Sequence, residues 1–182
     1  MSPCDECAMR LFNTKQYNLQ GIGNPHYGRC IIVPNVDYIA YKKGSMDFSS
    51  QVEIIKECIS STGEVDDLYI APLIRCNESI ACELTDDIYN RCITYFAEDI
   101  KKYNFKFIML LGNAGRKFLN CDISNNLNTL GISKNGRFYS VNYSPLVKYT
   151  NEDKFEEFKI NLIRWYRLIS RGYIENLNII NI

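Results

Sequence analysis

An excess of charge of either sign is missing from this chain of 182 residues: Lys and Arg number 21, Asp and Glu number 21, and the formal net charge is zero. That balance excludes capture of nucleic acid by bulk positive charge and leaves any basic contact to a local patch. Also missing is an apolar run of the roughly 18 residues that a membrane-spanning helix needs. The N-terminus lacks the apolar core that marks a secretory signal. The expectation is a cytoplasmic, intracellular protein with no membrane partner. Internal repeats and low-complexity linkers are absent too, so residues 1–182 read as a single domain. Histidine is nearly absent: His26 is the sole one, and it lies in the Gly-rich loop QGIGNPHYG. Against these absences stand eight cysteines and a hydrophobic content of 46%, enough for a sizeable core. In a reducing compartment, a group of thiols holds metal more often than it forms disulfides.

RCIIVP (29–34) is a short apolar run and reads as a buried strand. DLYIAPLIRC (67–76), FKFIMLLG (105–112) and GRFYSVNYSP (136–145) read as three more. Val52, Ile55 and Ile59 fall at helical spacing and predict a helix over 50–61, ended near Gly63. LTDDIYNRCITYFAEDIKKYN (84–104) is amphipathic, with Ile88, Cys92, Phe96 and Ile100 recurring every four residues and Thr85 or Asp86 as the cap. NAGRKFL opens a short helix, and NEDKFEEFKINLIRWYRLIS (151–170) is the last long one. Residues 35–51 read as a long loop, and the apolar tail YIENLNIINI (173–182) has no clear period. Strands alternating with helices predict an α/β fold, a three-layer α/β/α domain around a mostly parallel four-stranded sheet. Such sheets bind ligands beyond the C-terminal ends of their strands, which here carry PNVD, IRCN, LGNAG and NYSP.

Cys4 and Cys7 form a C-x2-C pair, and such a turn points two sulfurs the same way. Two more ligands are needed. Cys76 lies just beyond a predicted strand and Cys92 inside the next helix, and the loop 77–85 lets the chain turn back to join them; Cys82 competes for the fourth place. Four thiolates hold zinc or a [4Fe–4S] cluster. A zinc knuckle pairs two tight C-x2-C units, whereas the wide second pair here suits the larger cluster better. The competing reading makes these cysteines small buried hydrophobes. It fits Cys92 on its apolar helix face but not a terminal pair with no strand to pack into. Cys30, Cys58 and Cys121 read as core or free thiols.

These residues resemble the iron–sulfur uracil-DNA glycosylases. That family opens with C-x2-C, an Arg-rich segment and a G-x-G loop, which stand here as Cys4, Cys7, Arg10 and GIG (21–23). The family's TNVVKCRP is matched by YIAPLIRCN (69–77), its cysteine-bearing helix by IYNRC (88–92), and its P-x-x-I-x-x-LG-x-x-A by FKFIMLLGNAG (105–115). The likeness spans about residues 4–145. It implies a glycosylase-like fold, a [4Fe–4S] cluster on Cys4, Cys7, Cys76 and Cys92, and a pocket for a base flipped out of DNA.

The catalytic loops depart from the family. Its GEAPG-x-x-E/D segment is replaced by VPNVDYIAY (33–41), where Asp37 is the carboxylate left to orient the attacking water or, more simply, to cap the loop. G-x-P-F-x-G becomes GSMDFSSQ (44–51), with Phe48 as the base-stacking ring or as ordinary packing. The family's HPS becomes NYSPL (142–146), so Asn142 or Tyr143 would donate to the departing base and Ser144 occupies the aligned histidine position. Asn113 reads either as a helix cap, which is preferred, or as an amide for a pyrimidine edge. Arg75, Arg91, Arg116 and Lys117 fall near the strand ends, and Arg10, Lys15, Lys42 and Lys43 join them as a phosphate clamp.

The expectation is therefore a glycosylase-like protein with reduced or lost catalysis that binds DNA or a protein of replication, repair or transcription. The rebuilt loops and compact size suit a viral or mobile-element protein. Two other readings stay open. One is an active DNA glycosylase that attacks C1′ with water. The other is an interaction module in which YIENLNIINI adds an edge strand to a partner or a second copy, leaving monomer or homodimer undecided.

Overall fold

The computed structural model describes residues 4–12, 18–60, 62, 67–77, 83–127, 129–171 and 178–181, with Phe12, Arg171 and the last four by backbone alone. Its strands are β1 (Ile22–Gly23), β2 (Arg29–Val36), β3 (Tyr69–Asn77), β4 (Phe107–Leu111), β5 (Thr129–Ile132), β6 (Phe138–Asn142) and β7 (Asn178–Asn181). They form one sheet in the order β1-β3-β2-β4-β6-β5-β7. The four strands predicted from apolar runs, β3, β2, β4 and β6, are adjacent and parallel. The expected four-stranded sheet is thus too narrow. β1 adds antiparallel to β3, β5 adds antiparallel to β6, and β7 adds parallel to β5. These three are short, and partners distant in sequence make them strands.

The helices are α1 (Ala8–Phe12), α2 (Tyr38–Lys43), α3 (Ser50–Ser60), α4 (Asp86–Tyr103), α5 (Asn113–Leu119), α6 (Ile123–Asn126) and α7 (Glu152–Arg171). Period-two alternation in the strands divides the core in two. Cys30, Ile32, Ile108 and Leu110 pack on one face with Ile88, Cys92, Phe96 and Ile100 of α4. Ile31, Val33, Met109 and Leu111 pack on the other with Val52, Ile55 and Ile59 of α3 and Phe158, Leu162 and Trp165 of α7. Helices therefore cover both faces, and no described helix is long and apolar enough to cross a membrane. Thr85 Oγ accepts from the Ile88 amide at the start of α4, as its sequence predicts.

The stretch 35–51 is not a loop. It holds α2 and a 3₁₀ turn, Met46–Phe48. Asp37 caps α2, and Gly44 ends it at φ 73°. From β2 the chain crosses to β3 on one side and then returns to β4 on the other, so the C-terminal ends of β2 and β4 flank the point where the strand order reverses.

Gly112 closes that point. Its φ and ψ of 54° and −131° are open to glycine and strained for other residues. A Cβ there would stand 3.0 Å from the Ser144 Cβ and 3.2 Å from the Pro34 Cγ. Gly112→Ala is expected to lower the unfolding free energy by about 2 kcal/mol, checked by urea denaturation, because backbone strain and crowding act together.

Candidate metal centre and strand-end groove

A tight turn presents the first two cysteines. The Cys7 amide donates to the Cys4 carbonyl at 3.2 Å, and the Arg10 amide donates to the Cys7 carbonyl at 3.0 Å as α1 begins. Cys76 comes from the end of β3, and Cys92 from the buried face of α4. The relative exposures of Cys4, Cys7, Cys76 and Cys92 are 8%, 8%, 5% and 6%, so the terminal pair is as enclosed as the internal one. All four line one cavity, together with Met9, Ile74, Tyr95 and the arginines Arg10, Arg75 and Arg91. The cavity between them has a volume of about 10 Å³. Among the described residues, no group of three or more His, Cys, Asp or Glu side chains is placed to hold a single metal ion.

Burial pushes the Cys76 thiol up to about 12, opposed by a hydrogen bond from the Asn18 backbone and reinforced by the other three sulfurs. Burial likewise raises Cys92 to about 11, opposed by a hydrogen bond from the Arg75 backbone. The Tyr95 hydroxyl donates to Cys4 Sγ at 3.2 Å. The remaining described cysteines lie elsewhere: Cys30 is fully buried beside β4, Cys58 packs in the opposite core, and Cys121 is half-buried in a different cavity. Cys82 lies outside the described residues, as does Lys15.

Arg75 does not stand on an outer phosphate-binding face. It is 4% exposed, pairs with Asp99 of α4 at 2.5 Å, and lies over the Tyr95 ring at 5.1 Å. Its place between Ile74 and Cys76, in a strand buried along nearly its whole length, puts it inside. Other expected clamp residues have acidic partners: Arg91 pairs with Asp87 at 2.7 Å, Arg10 with Asp5 at 2.8 Å, and Lys117 with Asp86 at 2.5 Å. Arg116 is exposed on α5.

A groove of about 340 Å³, open to solvent, lies at the ends of β2 and β4 and is lined by Pro34, Asn35, Glu83, Leu84, Tyr89, Asn113 and Lys117. Asn113 lines it, and the preferred cap reading fails. Gly112 holds the cap position, and α5 has no side-chain cap. Glu83 and Asn35 were not among the residues singled out from sequence. Their only signal is position, beside strand ends.

The other expected catalytic groups face inward or serve local structure. Asp37 Oδ1 accepts from the Ala40 amide at 2.9 Å, and Oδ2 accepts from Ser49 Oγ at 2.7 Å, the Ser50 amide at 2.9 Å and Ser50 Oγ at 3.2 Å. Asn142 is fully buried, donates to the Phe158 carbonyl at 3.0 Å and accepts from the Tyr143 amide at 2.9 Å. Tyr143 packs under Lys154, and burial, then Glu157, raises its phenol. Ser144 caps the 3₁₀ turn Pro145–Tyr149. Phe48 is 53% exposed and lines a separate depression with Ile39 and Glu53. His26 sits in the turn Pro25–Tyr27 before β2, at the opposite end of that strand from the groove.

In comparisons with known proteins, no family model matches the chain and no curated protein matches it.

Proposed function

We propose that the chain is a divergent iron–sulfur domain of the uracil-DNA glycosylase kind that binds DNA and has lost most or all base excision. The observation that carries this reading is the meeting of Cys4, Cys7, Cys76 and Cys92 around one buried cavity. Zinc ligands each stand about 2.3 Å from a single point. Thiols around a space suit a polynuclear [4Fe–4S] cluster better. These four residues would hold it, and it would tie the N-terminal turn to the end of β3 and to α4. The binding energy of such a centre is coupled to folding. The parallel run β3-β2-β4-β6, with a groove at its reversal, supports the fold that the resemblance implies.

The candidate catalytic residues are committed to structure. Base departure wants donors aimed at the leaving oxyanion and a carboxylate near the water. Asp37 accepts four bonds within the chain, Asn142 is sealed in the core, and the sole imidazole is at the wrong end of β2.

Binding is placed on α2 and the turn after it. Tyr38 and Phe48 are 60% and 53% exposed, with Lys42 Nζ 5.3 Å above the Tyr38 ring and Lys43 Nζ 5.8 Å above the Phe48 ring. Exposed rings beside cations are what single-stranded nucleic acid stacks on. Protein purified without oxygen is expected to carry about four iron and four sulfide per chain. It should bind a single-stranded oligonucleotide with salt-sensitive affinity and release no uracil from single- or double-stranded substrates. Replacing both Lys42 and Lys43 with alanine is expected to reduce the slope of log affinity against log salt by about 2. Salt-insensitive binding would favour an apolar protein interface, and uracil release would restore the enzyme reading.

A further inference from the structure

Arg75 carries a feature that its pairing with Asp99 does not explain. One guanidinium nitrogen meets Asp99 at 2.5 Å, and another lies 3.3 Å from the Gln20 side-chain oxygen and 3.4 Å from that of Asn18. Nε, equally buried, has no hydrogen-bond partner among the described residues. The side chain lines the cavity of the four cysteines, and the Arg75 backbone hydrogen-bonds one of them, Cys92. A buried guanidinium donor left unmatched is costly. The cavity beside it is ringed by sulfur, an acceptor that gains negative charge when the thiols ligate metal.

We infer that Arg75 is the charge-compensating residue of the metal centre: its guanidinium, held in place by Asp99 and the Tyr95 ring, donates through Nε to cluster sulfur and sets the reduction potential of the bound cluster. This rests on the iron–sulfur reading above. Four thiolates make the site anionic, and one-electron reduction makes it more so. A fixed cation on its wall favours the reduced form, and the carboxylate behind that cation disfavours it. Hydrogen bonds to sulfur and net charge are the two means by which a protein tunes such potentials. Arg75 and Asp99 supply opposite signs of the second from one buried pair.

The test is the midpoint potential of the iron-loaded full chain, titrated with dithionite as the electron donor and read by absorbance and EPR, for the wild type, Arg75→Gln and Asp99→Asn. Arg75→Gln is expected to shift the potential down and Asp99→Asn to shift it up. Each shift should amount to at least a tenfold change in the ratio of reduced to oxidised cluster at a fixed potential, about 59 mV for one electron. Should Arg75→Gln fail to fold, the upward shift in Asp99→Asn carries the test by itself. Iron-replete variants whose potentials match the wild type, or shift with the opposite signs, overturn this role for Arg75 while leaving the cluster reading intact. A wild-type chain that takes up no iron or sulfide overturns the cluster reading, and this inference with it.

Discussion

Replacing Cys76 with serine is expected to drop iron from about four per chain to below one and to release the N-terminal turn from the sheet. The contacts that hold the described segment before residue 13 include two backbone bonds of its turn, the Arg10–Asp5 and Arg91–Glu6 ion pairs, the Tyr95 hydroxyl on Cys4 and the packing of Cys7 and Met9. Loss of the centre should therefore expose Arg10 to trypsin while the sheet persists, since α4 still packs through Ile88, Phe96 and Ile100. Cys92→Ser should behave in the same way. Cys121→Ser is the control: it lies in another cavity, and its variant should keep full iron and resist cleavage. Iron that survives in both Cys76→Ser and Cys92→Ser would rule out these residues as ligands. Iron lost equally from Cys121→Ser would mean that the protein loses metal through general instability.

The parallel core was legible because each of its strands is an apolar run long enough to be seen alone. Cys30–Val33 and Phe107–Leu111 are buried on both faces, and such strands show continuous hydrophobicity. β5 gives no such signal, and the apolar tail, which suggests an edge strand for a partner or a second copy, pairs through β7 with β5 of its own sheet. Thr129–Ile132 is four residues, and it becomes a strand through partners on either side, one of them nearly fifty residues away. The set of four cysteines that the resemblance implies lines one cavity, while Cys82, which the spacing alone leaves in competition, lies outside the described residues. The spacing could not reveal Arg75, which reads as one more surface cation until its partner is known. That partner had a faint trace: Asp99 is seven residues after Cys92, on the same apolar stripe of α4, where a lone carboxylate demands a cation. Asn142 was misjudged for the opposite reason. A polar residue at a strand end looks available, yet its amide closes a gap between β6 and the Phe158 carbonyl of α7.

Asp37→Ala is expected to cost about 3 kcal/mol of unfolding free energy, measured in urea. The sequence pattern from Asp37 to Gly44 is that of a short capped helix: a carboxylate before the first turn, Lys42 and Lys43 in the last, and glycine after it. Six residues are too few to stand out by periodicity, so the segment reads as a loop, while the capping role preferred for Asp37 over a catalytic one is the role the structure shows. The structure gives the carboxylate two structural tasks at once. One oxygen caps α2, and the other collects three donors from Ser49 and Ser50 at the start of α3. Removing it leaves all four donors to find water, although Ala40 and Ser49, which carry two of them, are buried. Asp37→Asn should fall between the two proteins, because an amide keeps one acceptor and presents its own donors to the serines. A catalytic carboxylate would give the reverse pattern, with Asn preserving stability and abolishing uracil release. Because α2 carries Tyr38, Lys42 and Lys43, the same stability loss should also weaken oligonucleotide binding. That coupling separates a carboxylate that builds the binding surface from one that acts on a bound base.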